Sequence, residues 1–295
     1  MGSFTPKQLR ASLVLPAGVF PGTQSNTLVL SGYRMSAKLT GAANFTNQLT
    51  LDIYGMRQAD MAAATVIYGR SGRVTEINAR TLIVLESNDG SGWLQVFEGQ
   101  AQQAYPDYRA LPDVALHIEA WTGAGMQWLP AQPSSFQGAV DAASLAGQLA
   151  SKMGFSFENN GVTATLHSPY LAGTLMDQFK RLAEAAAFDW YFDAKSTLII
   201  CPKTQGRQGK RAVVLSPTSG LVGYPSFNQY GVQVTCLFTP AIELGSPIQL
   251  DTGGAVPGVD GLWFPYHAVH ELESVKPSGA WFSHLDCADF PQAAS

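Results

Sequence analysis

Two carboxylates that enclose an aromatic run are the best candidates for catalysis in this sequence. Asp189 and Asp193 flank Trp190-Tyr191-Phe192. Glycoside hydrolases pair a general acid with a nucleophile or base, both carboxyl groups, and an aromatic ring beside them could stack on a sugar. The same run follows directly on a helical pattern and leads into an apolar segment that ends at Cys201. This context favours a helix-to-strand junction with buried aromatic residues, which is our interpretation.

Histidines with metal-ligand spacing are the best candidates for a metal site. His267 and His270 form an H-x-x-H pair, but on a strand this spacing puts the two side chains on opposite faces. The other three histidines stand alone in the sequence, and we predict structural or solvent-exposed roles for them. They are His117, His167 and His284.

The three cysteines, Cys201, Cys236 and Cys287, are far apart and odd in number. They form no disulfide framework or CxxC metal motif, which fits folding in a reducing cytosol, and an iron–sulfur cluster normally takes four. Cys201 and Cys236 lie in apolar strand patterns, so we predict buried, inert thiols.

Motifs for nucleotide binding and for a serine nucleophile are incomplete. The glycine pairs in Gly69-Arg70-Ser71-Gly72 and Gly123-Ala124-Gly125 lack a Walker lysine and a GxGxxG helix start. Gly90-Ser91-Gly92 and Ser219-Gly220 do not form a GxSxG elbow. Glu271 and Glu273 are explained by a solvated strand face. We therefore predict no enzyme, no catalytic residue, no metal site and no cofactor.

Basic residues do not form the field that nucleic-acid recognition requires. The net charge is −4 and the sequence pI is about 5.7, whereas nucleic-acid-binding domains are usually basic. Arg70, Arg73 and Arg80 are scattered. The cluster of Arg207, Lys210 and Arg211 lies in a glycine-containing segment, which we predict to be a solvated loop.

The elements that would position these residues begin with strands. Over the first 130 residues, apolar residues alternate with polar ones in several short runs, which is typical of half-buried strands in a sandwich or barrel. A short helix is predicted over residues 58–68. The alternating runs include residues 9–15, 35–40, 49–54 and 116–121.

A helical period follows a linker rich in glycine, proline and serine that ends near Ser135. Apolar residues from Val140 to Met153 predict a helix that Gly154 ends. Thr174 and Asp177 resemble a capping box at the start of a second, core-facing helix. A strand or hairpin is predicted over 155–166 and a strand over 197–201, which together make an α/β unit.

Strands resume after the loop 204–211. They are predicted at 232–238, 248–250 and 266–272, with a mobile glycine-rich loop at 251–261 and a frayed Ala/Ser tail. The predicted organisation is a first β domain (1–133), a middle α/β domain (134–205) and a second β domain (206–295).

Low charge distinguishes the composition. Charged residues make up 14% of the chain, where about 25% is usual. Interface cores are depleted in charge, so partners could cover much of the surface; a neutral Ser/Thr/Gln-rich surface is the alternative. The start MGSFTPKQLR has no apolar signal core, and no apolar stretch reaches the length of a membrane span. We predict no stable membrane association.

Three stretches resemble phage tail baseplate hub proteins, the group of the T4-type hub and its Mu-like and P2-like relatives. The resemblance runs from about residue 10 to residue 287, and order and spacing carry it more than any single motif. The matching segments are Asn47–Met56 with Val96–Ala101, Tyr105–Tyr108 and Pro112–Leu116; Ser168–Thr174 with Phe188–Asp193; and Gly220–Pro225 with Gly231–Pro240 and Glu243–Gly245.

The resemblance implies a structural protein without catalysis. Two tail-tube-like β-barrel domains would flank the α/β domain, and three chains would form a ring that joins a six-fold tube to a three-fold spike or fibre. The implied partners are copies of itself, tail tube or distal tail proteins, a central spike or fibre, and a tape measure protein. The implied location is the distal end of the virion tail, after assembly in the host cytoplasm. We see no appended lysozyme-like or peptidase segment, so no wall-degrading activity is carried over.

Two other functions stay open. A tail-associated cell-wall hydrolase would use Asp189 or Asp193. A host-carbohydrate binding module would use Trp121, Trp128 or Trp263, for which core or interface packing is the alternative.

Overall fold

The computed structural model describes residues 6–66, 80–127 and 130–290. Several predicted features lie outside these ranges: Arg70, Arg73, the Gly69–Gly72 motif, Trp128, residues 67–68 of the predicted 58–68 helix and the final Ala/Ser tail. The helix itself is shorter than predicted and ends at Ala64. The chain divides into two compact units. The first contains Met1–Thr40, Asn47–Gly125 and His270–Trp281, and the second contains Gly41–Thr46, Met126–Val269 and Phe282–Ser295.

Strands dominate the described residues, and the helices are few and short. The helices are α1 (Gln58–Ala64), α2 (Ala142–Met153) and α3 (Leu175–Ala186), with a 3₁₀ turn at Ala124–Gln127. The strands are β1 (Gln8–Val14), β2 (Thr27–Ser31), β3 (Met35–Ala42), β4 (Gln48–Tyr54), β5 (Leu82–Asn88), β6 (Leu94–Asp107), β7 (Ala115–Trp121), β8 (Ser134–Ser135), β9 (Ala139–Asp141), β10 (Ser156–Asn159), β11 (Thr165–His167), β12 (Tyr170–Leu171), β13 (Phe188–Phe192), β14 (Thr197–Pro202), β15 (Val213–Leu215), β16 (Ser226–Asn228), β17 (Gly231–Leu237), β18 (Ile248–Leu250), β19 (Gly261–Ser274) and β20 (Trp281–Ala288).

The first unit is an antiparallel sheet whose strands follow the order β3-β4-β7-β6-β5-β1-β2. The alternating runs predicted from sequence form its strands, with the apolar set on the buried face. Leu9, Ala11 and Leu13 of β1 are buried, while the residues between them are half-exposed. Burial of one face fixes the register, because a slip by one residue would expose the whole apolar set.

The helical part of the second unit packs on a three-stranded sheet with the order β10-β14-β13. Asp141 caps α2 by accepting a hydrogen bond from the Ser144 amide at 2.7 Å, and Gly154 ends the helix in the left-handed conformation. The predicted capping box of Thr174 and Asp177 is present at α3. The predicted capping box at the start of α3 and the predicted end of α2 at Gly154 are confirmed, whereas Val140, the first residue of the predicted helical pattern, lies in β9.

Of the strand or hairpin predicted over 155–166, the structure has strands, but they do not pair with each other as a hairpin. β10 pairs in parallel with β14, whereas β11 pairs with β9. The two neighbouring strands therefore have different partners. Local alternation indicates that a strand forms, but it does not identify a partner that lies far away in sequence.

The β part of the second unit has the strand order β16-β17-β20-β19, and β18 links β15 to β19. Its core includes Val232, Cys236, Leu250 and Trp263. The loop predicted at 251–261 is held together by Asp260, whose carboxylate accepts hydrogen bonds from Thr252 and from the Gly254 amide.

The predicted fold class, mainly β with a smaller α/β part, is confirmed. The boundaries of the three predicted domains stay a prediction. The α/β elements and the last β strands share the second unit.

Candidate assembly surfaces

Charged residues are missing from two long stretches of the chain. No Asp, Glu, Lys or Arg occurs from Ala11 to Tyr33 or from Ala212 to Ile242, which are the two longest such stretches in the sequence. We call them the first and second uncharged runs. Eight of the fourteen exposed large apolar side chains among the described residues lie in these runs, which make up less than a fifth of the chain. Low charge and exposed apolar surface therefore coincide.

The first uncharged run forms the β1–β2 hairpin at one side of the first unit. β2 is bonded to β1 on one side, and no strand within the described residues pairs with its other side. Phe20 anchors the connecting loop in the core, whereas Val19 and Val29 are exposed. We call the open side of β2 the first edge.

The arginines that border the first run are engaged elsewhere. Arg10 binds Glu86 with two hydrogen bonds of 2.6 Å and lies over the Trp93 ring at 4.4 Å. Arg34 bonds to Asp113 at 2.9 Å. Each positive charge is thus neutralised within the first unit.

The second uncharged run contains β15, β16 and β17 of the second unit. β16 ends the strand order in the described residues, and we call its open side the second edge. The exposed apolar side chains of this run are mostly large or aromatic. They are Val214, Val222, Tyr224, Phe227, Tyr230 and Leu237.

Phe227 shows that the apolar face of the sheet continues to the second edge. It lies directly opposite Val232, whose side chain is fully buried. Directly paired residues of antiparallel strands project from the same face. Phe227 is nevertheless 60% exposed, because among the described residues no strand follows β16. A part of the core face is therefore left uncovered.

The turn that positions β16 depends on Gly231. Its φ of +154° lies in a region that favours glycine. A Cβ atom here would collide with the Cys287 carbonyl oxygen and approach the Trp263 ring at 3.0 Å. The Asn228 side chain also accepts a hydrogen bond from the Tyr230 amide at 2.9 Å. The hairpin that ends in the second edge is therefore tightly specified.

The candidate catalytic carboxylates have structural partners. Asp189 accepts a hydrogen bond from the Asn44 side chain at 2.8 Å. Asp193 accepts bonds from the amides of Lys195 and Thr197, which closes the turn between β13 and β14. The aromatic run between the two carboxylates is buried, as predicted, so it offers no exposed ring for a sugar.

All three cysteines are buried and free. Burial raises the pKa of Cys201 to about 12 and that of Cys236 to about 11, and it also raises the pKa of Cys287. A thiol with a raised pKa carries little thiolate at neutral pH. The prediction that Cys201 and Cys236 are buried is confirmed.

The histidines take part in local contacts. His117 Nδ1 lies 2.7 Å from an Asp52 carboxylate oxygen, and His267 Nδ1 lies 2.9 Å from one of Asp286. His284 contacts the Thr235 hydroxyl, and His167 is exposed. Structural or exposed roles were predicted for His117, His167 and His284. Within the described ranges, no group of three or more His, Cys, Asp or Glu side chains is arranged to hold a metal ion.

Two of the tryptophans considered for sugar binding are described. Trp263 is buried and donates a hydrogen bond to the Val259 carbonyl at 2.7 Å. Trp121 is half-buried on β7. Trp263 therefore packs in the core, which is the alternative to sugar binding given for these tryptophans. Among residues 6–66, 80–127 and 130–290, no helix is long and apolar enough to cross a membrane.

Arg207 corrects a prediction, because it is not part of a solvated cluster. Its side chain is only 2% exposed, and it forms a bidentate pair with Glu158 at 2.7 and 3.0 Å and a bond of 2.5 Å to Glu243. Lys210 and Arg211 are exposed, as predicted. The partners of Arg207 are far away in sequence, so local composition did not indicate them.

Apart from the burial of Arg207, the main feature missed from sequence was the position of the uncharged runs. The low overall charge does not by itself indicate where along the chain the charges are missing. The signal is present in the sequence, because the two runs can be read directly from it. Their location at the two edges required the strand order.

Solved structures of tail proteins share this fold at low identity. A 43 kDa tail protein of prophage MuSo2 from Shewanella oneidensis matches with a TM-score of 0.60 and 8% identity, over 96% of this chain and 98% of that one. A tail protein from Neisseria meningitidis MC58 matches with a TM-score of 0.57 and 8% identity, over 95% and 96%.

A third structure is the E. coli c3393 protein, described as a component of the type VI secretion system with structural similarity to T4 bacteriophage tail proteins gp27 and gp5. It matches with a TM-score of 0.64 and 8% identity, over 92% of this chain and 76% of that one. No curated protein matches the chain in a sequence search. A family model described as baseplate hub gp41 matches residues 26–276. With most of its length matched by that model, the chain belongs to the baseplate hub gp41 family.

Proposed function

We propose that the protein is the structural hub of a phage tail tip and that three copies form a closed ring. One observation carries the proposal: each of the two units ends in an uncharged edge with exposed apolar side chains. Monomeric proteins usually protect open edges with charges, and with lysine in particular. Large exposed apolar patches mark interaction sites. Both edges are therefore suited to be covered in an assembly.

The ring would act as a symmetry adaptor. Each chain carries two β units, which we propose to be tube-like barrels, so three chains present six β units to a six-fold tail tube. The opposite side of the ring stays three-fold, which suits a spike or fibre. Closed rings are the usual result when head-to-tail contacts return to their starting point. The low overall charge then follows from the large share of surface that faces other subunits.

The proposed partners are copies of the chain, tail tube or distal tail proteins, a central spike or fibre, and a tape measure protein. We place the ring at the distal end of the tail and propose no catalytic role. The proposed domains remain 1–133, 134–205 and 206–295. The hydrogen bonds of Asp189 and Asp193 and the burial of the aromatic run give no observation in favour of a hydrolase.

The oligomeric state tests the proposal. Light scattering coupled to size exclusion should give a mass three times the 31.5 kDa of the chain, and negative-stain images should show rings with three-fold symmetry. Both measurements should be repeated across protein concentrations and with the tail tube protein added. A chain that stays monomeric under all these conditions would contradict the trimeric hub.

A further inference from the structure

The two uncharged edges restrict the kind of partner that can cover them. A charged side chain buried against either edge would find no opposite charge within the run. Burying a charge without a partner is strongly unfavourable. The surface that covers each edge must therefore also lack charge over a similar length.

Each edge meets the condition for the other. The first edge offers the β-branched side chain of Val29, on the same face of β2 as Ser31. The second edge offers the aromatic side chain of Phe227, and the exposed Tyr224 and Tyr230 lie close to it in sequence. Aromatic and β-branched residues form favourable pairs between adjacent strands. A β-branched edge against an aromatic one also packs with fewer steric conflicts than two aromatic edges would.

We propose that the first edge of one copy packs against the second edge of the next copy. This inference rests on the proposed ring and adds which surfaces form its seams. Because the two surfaces differ, the contact is head-to-tail, and repeated contacts of this kind close into a ring. A second copy of this chain is thus the occupant of both edges.

Side chains rather than a continuous backbone ladder would carry the seam. β16 has only three residues. Pro225, directly before it, has no amide hydrogen to donate. Apolar packing around Phe227 and Val29 would therefore supply most of the contact, with few backbone hydrogen bonds.

Charge patches on the edges test the pairing. One variant carries Val29→Lys with Ser31→Lys, and another carries Ser226→Glu with Phe227→Glu. All four positions are exposed, so both variants should fold, which circular dichroism and thermal melting can check. Each patch alone should raise the dissociation constant of the ring by at least about a hundredfold, because its charges are buried unpaired.

The combined variant is the decisive one. With all four substitutions in one chain, every seam brings lysines against glutamates, and the ring should return. A same-sign combination, with Ser226→Lys and Phe227→Lys in place of the glutamates, should not recover. Ser226 and Phe227 project from opposite faces of β16, so the combined variant offers a glutamate on each face to the lysines, which share one face of β2. Matched controls are Leu111→Lys and Tyr170→Glu, at exposed apolar positions outside both runs, and both should assemble like the wild type.

Each outcome of these measurements supports or overturns the pairing of the two edges. A wild-type chain that never forms a ring would overturn both the proposed function and this pairing. A ring that tolerates either patch alone, with the same dissociation constant as the controls, would overturn the pairing and leave the hub function standing. Loss with each patch but no recovery in the combined variant would show that the edges meet other surfaces, and would also overturn the pairing.

Discussion

At the scale of single residues, Arg207 has an environment that its sequence context does not indicate. Its guanidinium is buried and joins Glu158 of β10 to Glu243, which follows β17. Its backbone amide also donates to the Gly245 carbonyl at 2.7 Å. Arg207 therefore connects the α/β elements to the last β strands within the second unit.

Replacing Arg207 with methionine should destabilise the protein. The variant keeps most of the aliphatic length but leaves two carboxylates without the guanidinium. Breaking a buried ion pair costs about 3–5 kcal/mol, but Glu158 and Glu243 are 34% and 37% exposed, so we expect about 2 kcal/mol. Urea unfolding would measure it. Arg109→Met is the control, because Arg109 is 81% exposed in its pair with Asp107; an equal loss in both variants would contradict the role of Arg207.

The contribution of Arg207 should depend on pH. Burial raises the pKa of Glu158, but hydrogen bonds from Arg207 and Asn160 outweigh this, and the net pKa is lowered. In the unfolded chain the pKa of the Glu158 carboxyl group is about 4.3. A folded pKa below that value gives stability that is present above it and is lost as the pH falls through the folded pKa. The difference between wild type and Arg207→Met should therefore shrink below about pH 4, and a constant difference would contradict this assignment.

Arg207 also shows why the burial of some residues cannot be predicted from sequence. Its ion-pair partners lie 49 and 36 residues away. A glycine-containing segment with three basic residues is typical of a solvated loop, and two of the three do lie on the surface. Only the folded arrangement of the strands brings Glu158 and Glu243 next to Arg207, the third basic residue.

At the scale of elements, the β16–β17 hairpin depends on a single glycine. Gly231→Ala should destabilise the protein, because its Cβ would collide with the Cys287 carbonyl and the backbone must shift. Gly253→Ala is the control: its φ is also positive, at +66°, but nothing lies within 4 Å. The control should lose about 1 kcal/mol from backbone strain, and Gly231→Ala should lose at least about 2 kcal/mol more. Equal losses in thermal or urea unfolding would contradict the close contact.

The elements divide clearly into those that sequence patterns predict and those that they do not. Strands β1, β4 and β7 alternate in burial as the sequence indicates, because one apolar face decides their register. Thr174 and Gly154 mark helix ends through local hydrogen bonds and backbone conformation. The parallel pairing of β10 with β14 depends on contacts between distant segments, and no local pattern contains it.

At the scale of the whole molecule, the position of charge is more informative than its amount. A low charged fraction fits either a neutral soluble surface or a surface covered by partners. The concentration of exposed apolar residues in two uncharged runs, each of which includes an edge strand, favours coverage. The composition could be read at once, but the meaning of the runs emerges only when β2 and β16 are found at the ends of their strand orders.

The same distribution predicts how the assembly responds to salt. Salt weakens attraction between exposed charges, with a screening length of about 10 Å at 0.1 M. A seam of uncharged edges contains no such attraction, and the net charge of −4 gives little repulsion between subunits. The dissociation constant of the wild-type ring should therefore change less than about twofold between about 0.05 and 0.5 M NaCl. Sedimentation equilibrium would measure it.

The combined Lys/Glu variant should show the opposite response to salt, although its fold is the same. Its seams would contain ion pairs, so its ring should weaken as salt rises, while the wild-type ring does not. If the wild-type ring itself weakened tenfold over this range, ion pairs would contribute to its seams, and the uncharged edges could not be the main contact. The comparison therefore separates apolar from electrostatic assembly without knowledge of the register between copies.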